Sequence, residues 1–368
     1  MTMRELGQLL LVGVPGPTLD PETAARFRRL QPGGYILFTR NIETPGKLRK
    51  LIDDLRDLSN VEPIVTIDQE GGRVSRLKML GNEPPNARQL AACGDIGLIR
   101  RHGELTGRLL RLFGFNLDLC PVLDIALGGE ADNSLKGRCY GNSPAEVVEN
   151  AGCFNDALRA EGILSCGKHF PGYSSAAVDP HYSLPVIERS RSELENGELI
   201  PFRALLPQCD SAMIGHAWFK AFDPDRKNWP ASLSAAVIRG CLRRDLGFEG
   251  LVMTDDLDMG AVLEQVEFSD AIRHAITAGN DMAMICHRIA MAEEATRHLA
   301  EIDQASLDRA LDNVAALKRK LVAPDTFSET AFEALDESVW ALRVAALGED
   351  AARIRSPEDG SHSPVEVY

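Results

Sequence analysis

Residues 144–170 read PAEVVENAGCFNDALRAEGILSCGKHF and contain a helical pattern followed by a strand pattern. Ser143, directly before a proline, is typical of a helix start, and Gly162 is typical of the position just past a helix end. The run 162–170 is almost continuously apolar, as parallel strands buried on both faces are. The stretch therefore predicts an amphipathic helix that leads directly into a buried parallel strand.

The same alternation recurs along the chain. Eight short apolar runs are predicted strands: 9–14, 34–39, 63–68, 115–124, 162–170, 211–216, 250–255 and 281–286. Helical patterns lie between them, at 45–58, 95–113, 144–161, 191–206, 234–246 and 268–278. Eight such units predict an α/β fold of the TIM-like (β/α)8 barrel type. The alternative is an open doubly wound sheet, which is disfavoured because no Gly-rich phosphate turn follows the first strand.

The C-terminal part of the chain has a different pattern. From residue 302 to about residue 347 it is helical throughout, with a break at Pro324, which predicts closing helices packed on the barrel. The last twenty residues are polar and aperiodic, as disordered segments are. We therefore expect a single barrel domain over residues 1–347 and a disordered tail over residues 348–368.

The composition excludes several classes of partner. The chain has 40 Lys and Arg against 54 Asp and Glu, a net charge of −14, which would repel nucleic acid and anionic membranes. No run approaches the eighteen or so apolar residues of a membrane span. The apolar run 9–14 precedes a Pro-Gly-Pro turn and is interpreted as a strand rather than a signal peptide. The eight cysteines form no C-x-x-C pair, and the reducing cytoplasm is the expected location.

Polar side chains finish five of the predicted strands: Asp68, Asp124, Lys168 with His169, His216, and Asp255 with Asp256. Such groups at the ends of buried strands would be unfavourable unless they faced a polar pocket. The carboxyl ends of the strands are also where barrel enzymes build their active sites. The sequence therefore predicts a polar pocket at this end of the barrel.

The pocket residues indicate the kind of ligand. Asp68, Arg138, Lys168 and His169 offer several directional hydrogen bonds, which suits a polyhydroxylated ligand. A metal site is the alternative, because several histidines and aspartates are available. However, no H-x-H or H-E-x-x-H spacing is present, and Lys168 would repel a cation. We therefore expect neither a metal nor a cofactor.

Six motifs, in order, resemble those of glycoside hydrolase family 3, and more narrowly those of its bacterial β-N-acetylglucosaminidase (β-hexosaminidase) branch. They are DQEGGRV at 68–74, PVLD at 121–124, RCYG at 138–141, KHFPG at 168–172, PASLS at 230–234 and TDDLDM at 254–259. The resemblance extends from about residue 5 to residue 345. It implies a TIM-like barrel and a retaining double displacement through a glycosyl-enzyme intermediate.

The resemblance also implies roles for individual residues. Asp255 would be the nucleophile, with Asp256 and Asp258 as local hydrogen-bond acceptors. His181 would be the acid/base, oriented by Asp179. The residues implied to hold the sugar hydroxyls are Asp68, Arg76, Arg138, Lys168 and His169, with His216 lining the pocket. Three aromatic residues are interpreted either as pocket walls or as core: Trp218, Phe219 and Trp229.

The loop after the fifth strand departs from the family pattern. The family usually has Gly-His-Gly after Lys-His-Phe-Pro, whereas this chain has Gly-Tyr173-Ser174. The family usually has Ser or Thr between the two acid/base partners, whereas this chain has Pro180. Because proline fixes its own φ and restricts the preceding residue, the acid/base pair is expected to be stiffer or held differently over the site.

The expected function is removal of terminal β-linked N-acetylglucosamine from peptidoglycan-derived fragments, with a small saccharide as partner and the oligomeric state open. Three alternatives remain. A β-glucosidase of the same family usually takes a Glu acid/base from a second domain, and we expect no such domain after residue 345. A phosphorylase would exploit a His acid/base, which does not repel phosphate. A saccharide-binding protein could have lost turnover through the loop changes.

Overall fold

Eight parallel strands form a closed barrel in the computed structural model, which describes residues 1–127, 134–176, 180 and 183–356. In chain order the strands are β1 Leu10–Gly13, β2 Gly34–Leu37, β3 Ile64–Ile67, β4 Leu117–Asp118, β5 Leu164–Phe170, β6 Ser211–Ile214, β7 Leu251–Asp256 and β8 Met282–Ile285. Each pairs with its neighbours in the chain, and β8 closes the barrel on β1 with Leu10 opposite Ala283. The predicted barrel is confirmed, and the open sheet is excluded because the ring closes.

Strand β4 is much shorter than the predicted run of 115–124. Only Leu117–Asp118 pair in the ladder, opposite β3 and β5, and a single further bridge joins Val122 to Lys168. Pro121 lies between these two pairings and has no N–H to donate to a ladder. The irregular backbone that follows β4 turns Asp124 toward β5, where it becomes part of the site.

Helices surround the barrel. The predicted ones are found as Pro45–Leu58, Ile96–Phe113, Pro144–Ala160, Arg191–Glu195, Leu199–Leu205, Ala236–Asp245 and Phe268–Ala278. The other helices are Met3–Gly7, Pro21–Leu30, Ala87–Ala92, Gly260–Leu263, Ala292–Leu299, Gln304–Lys318, Glu329–Leu347 and Glu349–Ala352. Where one helix was predicted over 191–206 there are two, separated at Gly197, because glycine weakens a helix interior. In the described ranges no helix is long and apolar enough to span a membrane.

Two of the outer helices pack so closely that one of them needs a glycine at the contact. Helix Ile96–Phe113 lies against helix Pro144–Ala160, and a Cβ at Gly103 would lie only 2.6 Å from the carbonyl oxygen of Phe154. The absence of a side chain at Gly103 lets the two backbones approach each other. The loop that leaves the second helix then feeds β5, which carries two pocket residues.

The closing helices Gln304–Lys318 and Glu329–Leu347 pack on the barrel as predicted, the second through Phe332, whose ring lies 5.5 Å from that of Phe113. The segment beyond residue 347 differs from the expectation. Helix Glu349–Ala352 follows, and the buried Arg343 donates to the carbonyl oxygen of Ala352 at 2.7 Å and to Glu83 at 3.0 Å.

Residues 348–356 are therefore folded onto the barrel, because their backbone carbonyls accept from a buried guanidinium. The part of the predicted tail at 357–368 lies outside the described residues.

Candidate active site

A cavity opens at the carboxyl end of the barrel, where the sequence predicted a polar pocket. Its lining includes Asp68, Arg138, Lys168, His169, Tyr173, Pro180, Asp255, Asp256 and Met259, with apolar side chains from β2, β6 and β8 below them. The cavity has a volume of about 30 Å³, room for about two water molecules.

A buried lysine joins two strands at the floor of this cavity. The Nζ atom of Lys168, on β5, lies 2.6 Å from an oxygen of Asp68 and 2.6 Å from an oxygen of Glu70, both just past β3. Burial disfavours the ammonium, but the charges of Asp68 and Glu70 outweigh it and raise the pKa of Lys168. Lys168 is therefore a permanent cation whose position is fixed by two carboxylates.

Arg138, in the segment between β4 and β5, adds a second cation to the charge network of Lys168, Asp68 and Glu70. Its guanidinium donates two hydrogen bonds of 2.7 Å to the two oxygens of Glu70, and it donates to the carbonyl oxygen of Ser134 at 3.1 Å. Burial opposes ionisation of Glu70, but Arg138 and Lys168 outweigh it and hold the pKa of Glu70 well below its ordinary range. The floor therefore keeps separate, fully ionised charges that can bind sugar hydroxyls directionally.

His169 lies between this network and Asp124. Its Nδ1 is 2.8 Å from an oxygen of Asp124, and its Nε2 is 3.2 Å from Arg138. Because a guanidinium can only donate, Nε2 accepts and Nδ1 carries the proton. Asp124 also accepts from the backbone N–H of His169 at 3.0 Å and of Tyr173 at 3.0 Å. One carboxylate thus fixes both the ring and the loop after β5.

Asp255 stands near the end of β7, beside the cavity. It is only partly buried, whereas its neighbours Thr254 and Asp256 are buried. One of its oxygens accepts from the backbone N–H of Asp256 at 2.8 Å. Both aspartates line the cavity, but Asp255 is the one that is partly exposed. Asp255 is therefore the more accessible of the two carboxylates.

The next two acidic residues hold the backbone instead. Asp256 accepts from the N–H groups of Asp258 at 3.0 Å and Cys286 at 3.1 Å, and Asp258 accepts from those of His287 and Arg288 at 2.9 Å each. Both carboxylates thereby tie the end of β7 to the end of β8. Burial and the charge of Asp258 raise the pKa of Asp256 well above its ordinary value. The expectation that both are local acceptors is confirmed.

Residues 1–317 match the glycosyl hydrolase family 3 N-terminal domain. The chain belongs to this family. It is 34% identical over 304 residues to a β-hexosaminidase of Alkalilimnicola ehrlichii, covering 81% of this chain and 86% of that protein. Among solved structures, it is similar to a family 3 β-N-acetylglucosaminidase from Paenibacillus, with a TM-score of 0.86, 30% identity, and coverage of 94% of this chain and 69% of the other.

A family 3 member from Mycobacterium smegmatis gives a TM-score of 0.78 at 31% identity, covering 88% of this chain and 98% of that one. The family resemblance, the barrel fold and the assignment as a glycosidase are therefore confirmed. Because a glycosidase needs a polar site for its substrate, the polar cavity at the carboxyl ends of the strands is the candidate active site.

The predicted acid/base pair of this glycosidase, Asp179 and His181, lies outside the described residues. The residue between them is described. Pro180 is buried, lines the cavity, and accepts through its carbonyl oxygen from the N–H of Ala261 at 3.3 Å. Ala261 belongs to helix Gly260–Leu263, which begins shortly after Asp255. Pro180, which lies between the two predicted partners in the chain, is therefore hydrogen-bonded to the helix that follows β7.

The two loop residues that depart from the family pattern have structural partners here. The hydroxyl of Tyr173 lies 2.9 Å from that of Ser134, and its ring packs edge-on against His169 at 5.0 Å. The hydroxyl of Ser174 accepts from the N–H of Ile125 at 2.8 Å. Both residues are buried and tie the loops after β4 and β5 together. The two residues that differ from the family pattern are therefore held in place by hydrogen bonds at the floor of the site.

Two of the predicted sugar-site residues lie behind the cavity wall. Arg76 is buried with Nη2 3.7 Å from Asp68. His216 is buried at the end of β6, where Nε2 donates to the carbonyl oxygen of Asp256 at 2.8 Å and Nδ1 contacts the hydroxyl of Ser232 at 2.8 Å. Both therefore contact residues that border the cavity.

The three candidate aromatic residues pack within the protein. The Trp218 indole donates to the carbonyl oxygen of Asp223 at 3.0 Å, and the Trp229 indole to that of Leu233 at 2.9 Å. Phe219 belongs to the apolar core. Of the two interpretations offered for these residues, packing is the one that the contacts support.

The sequence analysis did not place Glu70 and Tyr173 in the site, and it placed Asp124 at the pocket without giving it a partner. Glu70 was within the first motif and Asp124 was recognised as a strand end, so both signals were present in the sequence. What the sequence could not show is that Glu70 is the common partner of Arg138 and Lys168, which are 30 positions apart in the chain.

Proposed function

We propose that this glycosidase is a retaining β-N-acetylglucosaminidase that removes terminal β-linked N-acetylglucosamine from peptidoglycan-derived fragments in the cytoplasm. The observation that carries the proposal is Asp255, a partly exposed carboxylate at the end of β7 on the wall of the cavity. The names β-hexosaminidase and β-N-acetylglucosaminidase of the relatives support the choice of sugar. The origin of the fragments in peptidoglycan rests on the family resemblance, and the cytoplasmic location is proposed together with it.

In the first half of the proposed reaction, an Asp255 oxygen bonds to the anomeric carbon as the glycosidic C–O bond breaks. His181, held as the imidazolium by Asp179, gives its proton to the departing oxygen and becomes a neutral imidazole. In the second half, His181 takes a proton from water, which attacks the anomeric carbon and releases Asp255. Two inversions leave the β configuration unchanged.

Asp255 is preferred to Asp256 as the nucleophile on two grounds. The carboxylate of Asp256 already accepts from two backbone N–H groups, and its raised pKa favours the protonated form, which is a poor nucleophile. Asp255 is partly exposed on the wall of the cavity, whereas Asp256 is buried. The assignment therefore agrees with both exposure and charge.

Sugar binding at the floor is proposed for Asp68, Lys168, Arg138 and His169. An oxygen of Asp68 already accepts from Lys168, so its carboxylate can bind a hydroxyl without losing its compensating charge. We propose that Arg76 and His216 act indirectly, Arg76 beside Asp68 and His216 through the backbone of Asp256. No metal or cofactor takes part in the proposal.

Hydrolysis of nitrophenyl N-acetyl-β-glucosaminide tests the proposal. Asp255→Asn keeps the side-chain size but removes the nucleophile, and we expect kcat/KM to fall by about 10⁴-fold or more. Asp225→Asn, the same change at an exposed residue, is the control and should retain full activity. Near-normal turnover by Asp255→Asn would remove Asp255 from the nucleophile's role.

Trapping with a slow 5-fluoro N-acetylglucosaminyl analogue, followed by peptide mass mapping, identifies the bonded residue directly. The label is expected on the peptide containing Asp255. Assays with and without inorganic phosphate separate hydrolysis from phosphorolysis, since only the latter yields a sugar 1-phosphate. Binding of the sugar without turnover of any glycoside would favour the non-catalytic alternative.

A further inference from the structure

A second cavity of about 470 Å³ lies beside the sugar pocket. Its charged lining residues are Arg73, Arg88, Lys136 and Arg138, and among the described residues that line it none is acidic. The chain as a whole has a net charge of −14. The positive charge of the described lining of this cavity therefore contrasts with the net negative charge of the chain.

Two of the four cations already have partners that hold them in place. Arg138 is paired with Glu70 on its other side, and Arg73 donates to the carbonyl oxygen of Ser134 at 2.6 Å. The side chains of Arg88 and Lys136 are exposed, and neither forms an ion pair or hydrogen bond within the part of the chain that the structure describes. These two side chains supply positive charge that the described residues leave uncompensated.

The walls of this cavity are built by close backbone contacts. Gly71 has φ +102°, and a Cβ there would lie 2.3 Å from the carbonyl oxygen of Pro85. The N–H of Arg88 donates to the carbonyl oxygen of Gly137 at 3.3 Å, which joins the two segments that carry Arg88 and Lys136. This hydrogen bond holds the backbone segments that carry Arg88 and Lys136 next to each other.

Arg138 is a lining residue of both this cavity and the sugar pocket, so the two cavities adjoin at this residue. The volume falls within the range of about 300–1,000 Å³ that small-ligand sites occupy. Position and size together suit a small group close to the reacting sugar.

We propose that this cavity is an anion-binding site for a carboxylate-bearing ligand, held by Arg88 and Lys136. Carboxylates match both side chains, the guanidinium through paired hydrogen bonds and the ammonium as a point charge. The carboxylate can come from the leaving group of the glycoside or from a free polycarboxylate. Only the first of these sources rests on the proposed function.

The experiment compares two disaccharides that differ by one lactyl carboxylate, N-acetylglucosaminyl-β-1,4-N-acetylmuramic acid and N-acetylglucosaminyl-β-1,4-N-acetylglucosamine. If the leaving group is the ligand, the wild-type KM for the acidic disaccharide is about tenfold lower, because hydrogen bonds to charged groups exceed the 1.4 kcal/mol of a tenfold change. In Arg88→Ala/Lys136→Ala the two KM values become equal. The control Lys50→Ala/Arg108→Ala removes the same charges from exposed residues of outer helices and keeps the wild-type ratio.

A second arm needs no turnover. Calorimetric titration with citrate, at constant ionic strength, is expected to show binding to the wild type and to the control but not to Arg88→Ala/Lys136→Ala. Loss of citrate binding with an unchanged KM ratio assigns the site to a free anion, whereas a changed ratio assigns it to the leaving group. The proposal is overturned if neither measurement distinguishes the double variant from the control.

The two arms also separate this proposal from the proposed function. If the wild type cleaves neither disaccharide, the proposed function fails, but citrate binding still decides whether the anion site exists.

Discussion

Glu70 is the residue whose replacement tests the charge network most directly. It accepts two hydrogen bonds of 2.7 Å from Arg138 and lies 2.6 Å from Lys168, and all three side chains are buried. Glu70→Gln keeps the size and removes the charge, which leaves Arg138 without its carboxylate. Breaking a buried ion pair in this way lowers the free energy of unfolding by about 3–5 kcal/mol.

The assay is urea unfolding followed by circular dichroism at pH 7. The control is Glu22→Gln, whose side chain is 84% exposed and pairs with Arg26 at 3.3 Å, and which should change stability by at most about 1 kcal/mol. Because the pKa of Glu70 is depressed, its contribution is present above its ordinary pKa and is lost as pH falls below it. Equal stabilities of the two variants at pH 7 would refute the reasoning.

Three further predictions follow from single residues. Burial raises the pKa of Asp118 to about 7, so its favourable contribution is present below the ordinary pKa of about 4 and is lost as pH rises through about 7. Asp118→Asn should therefore be more stable than the wild type at pH 8 but not at pH 4 in urea titrations; a difference independent of pH would contradict this. His181→Ala should reduce kcat/KM for a disaccharide by about 10²–10⁴-fold and for the nitrophenyl glycoside by much less, because nitrophenolate leaves without a proton; equal losses would argue against an acid role. Tyr173→Phe leaves the Ser134 hydroxyl without its 2.9 Å partner and should lower the free energy of unfolding by about 1 kcal/mol; an unchanged urea midpoint would count against this contact.

The barrel was predictable because its strands are buried on both faces. A continuous apolar run such as residues 282–286 is typical of a strand buried on both faces, and eight strand runs that alternate with helices are compatible with few topologies. The break between Arg191–Glu195 and Leu199–Leu205 was not predicted, since the apolar period runs through Gly197. The folded segment 348–356 was missed because its attachment depends on carbonyls that accept from Arg343, and a backbone acceptor has no sequence signature.

The sequence predicted most residues of the candidate site, but it did not predict the contacts between them. Strand ends indicated Asp68, Lys168 and Asp255, since the carboxyl ends of barrel strands converge in space. Which of the two adjacent aspartates is the more exposed depends on the local backbone at the end of β7, and the sequence alone distinguished them only through the family motif. The role of Glu70 depends on a contact between distant segments, and no local pattern encodes such a contact.

The buried Arg343 has a practical consequence for anyone shortening this protein. The family match ends at residue 317, and a natural choice would be to stop after the long helix Glu329–Leu347. A chain cut there would keep Glu83 as a partner of the guanidinium but lose the Ala352 and Ile354 carbonyls. A buried guanidinium that has lost the acceptors of its Nε and Nη2 atoms is unfavourable, so such a fragment should express poorly.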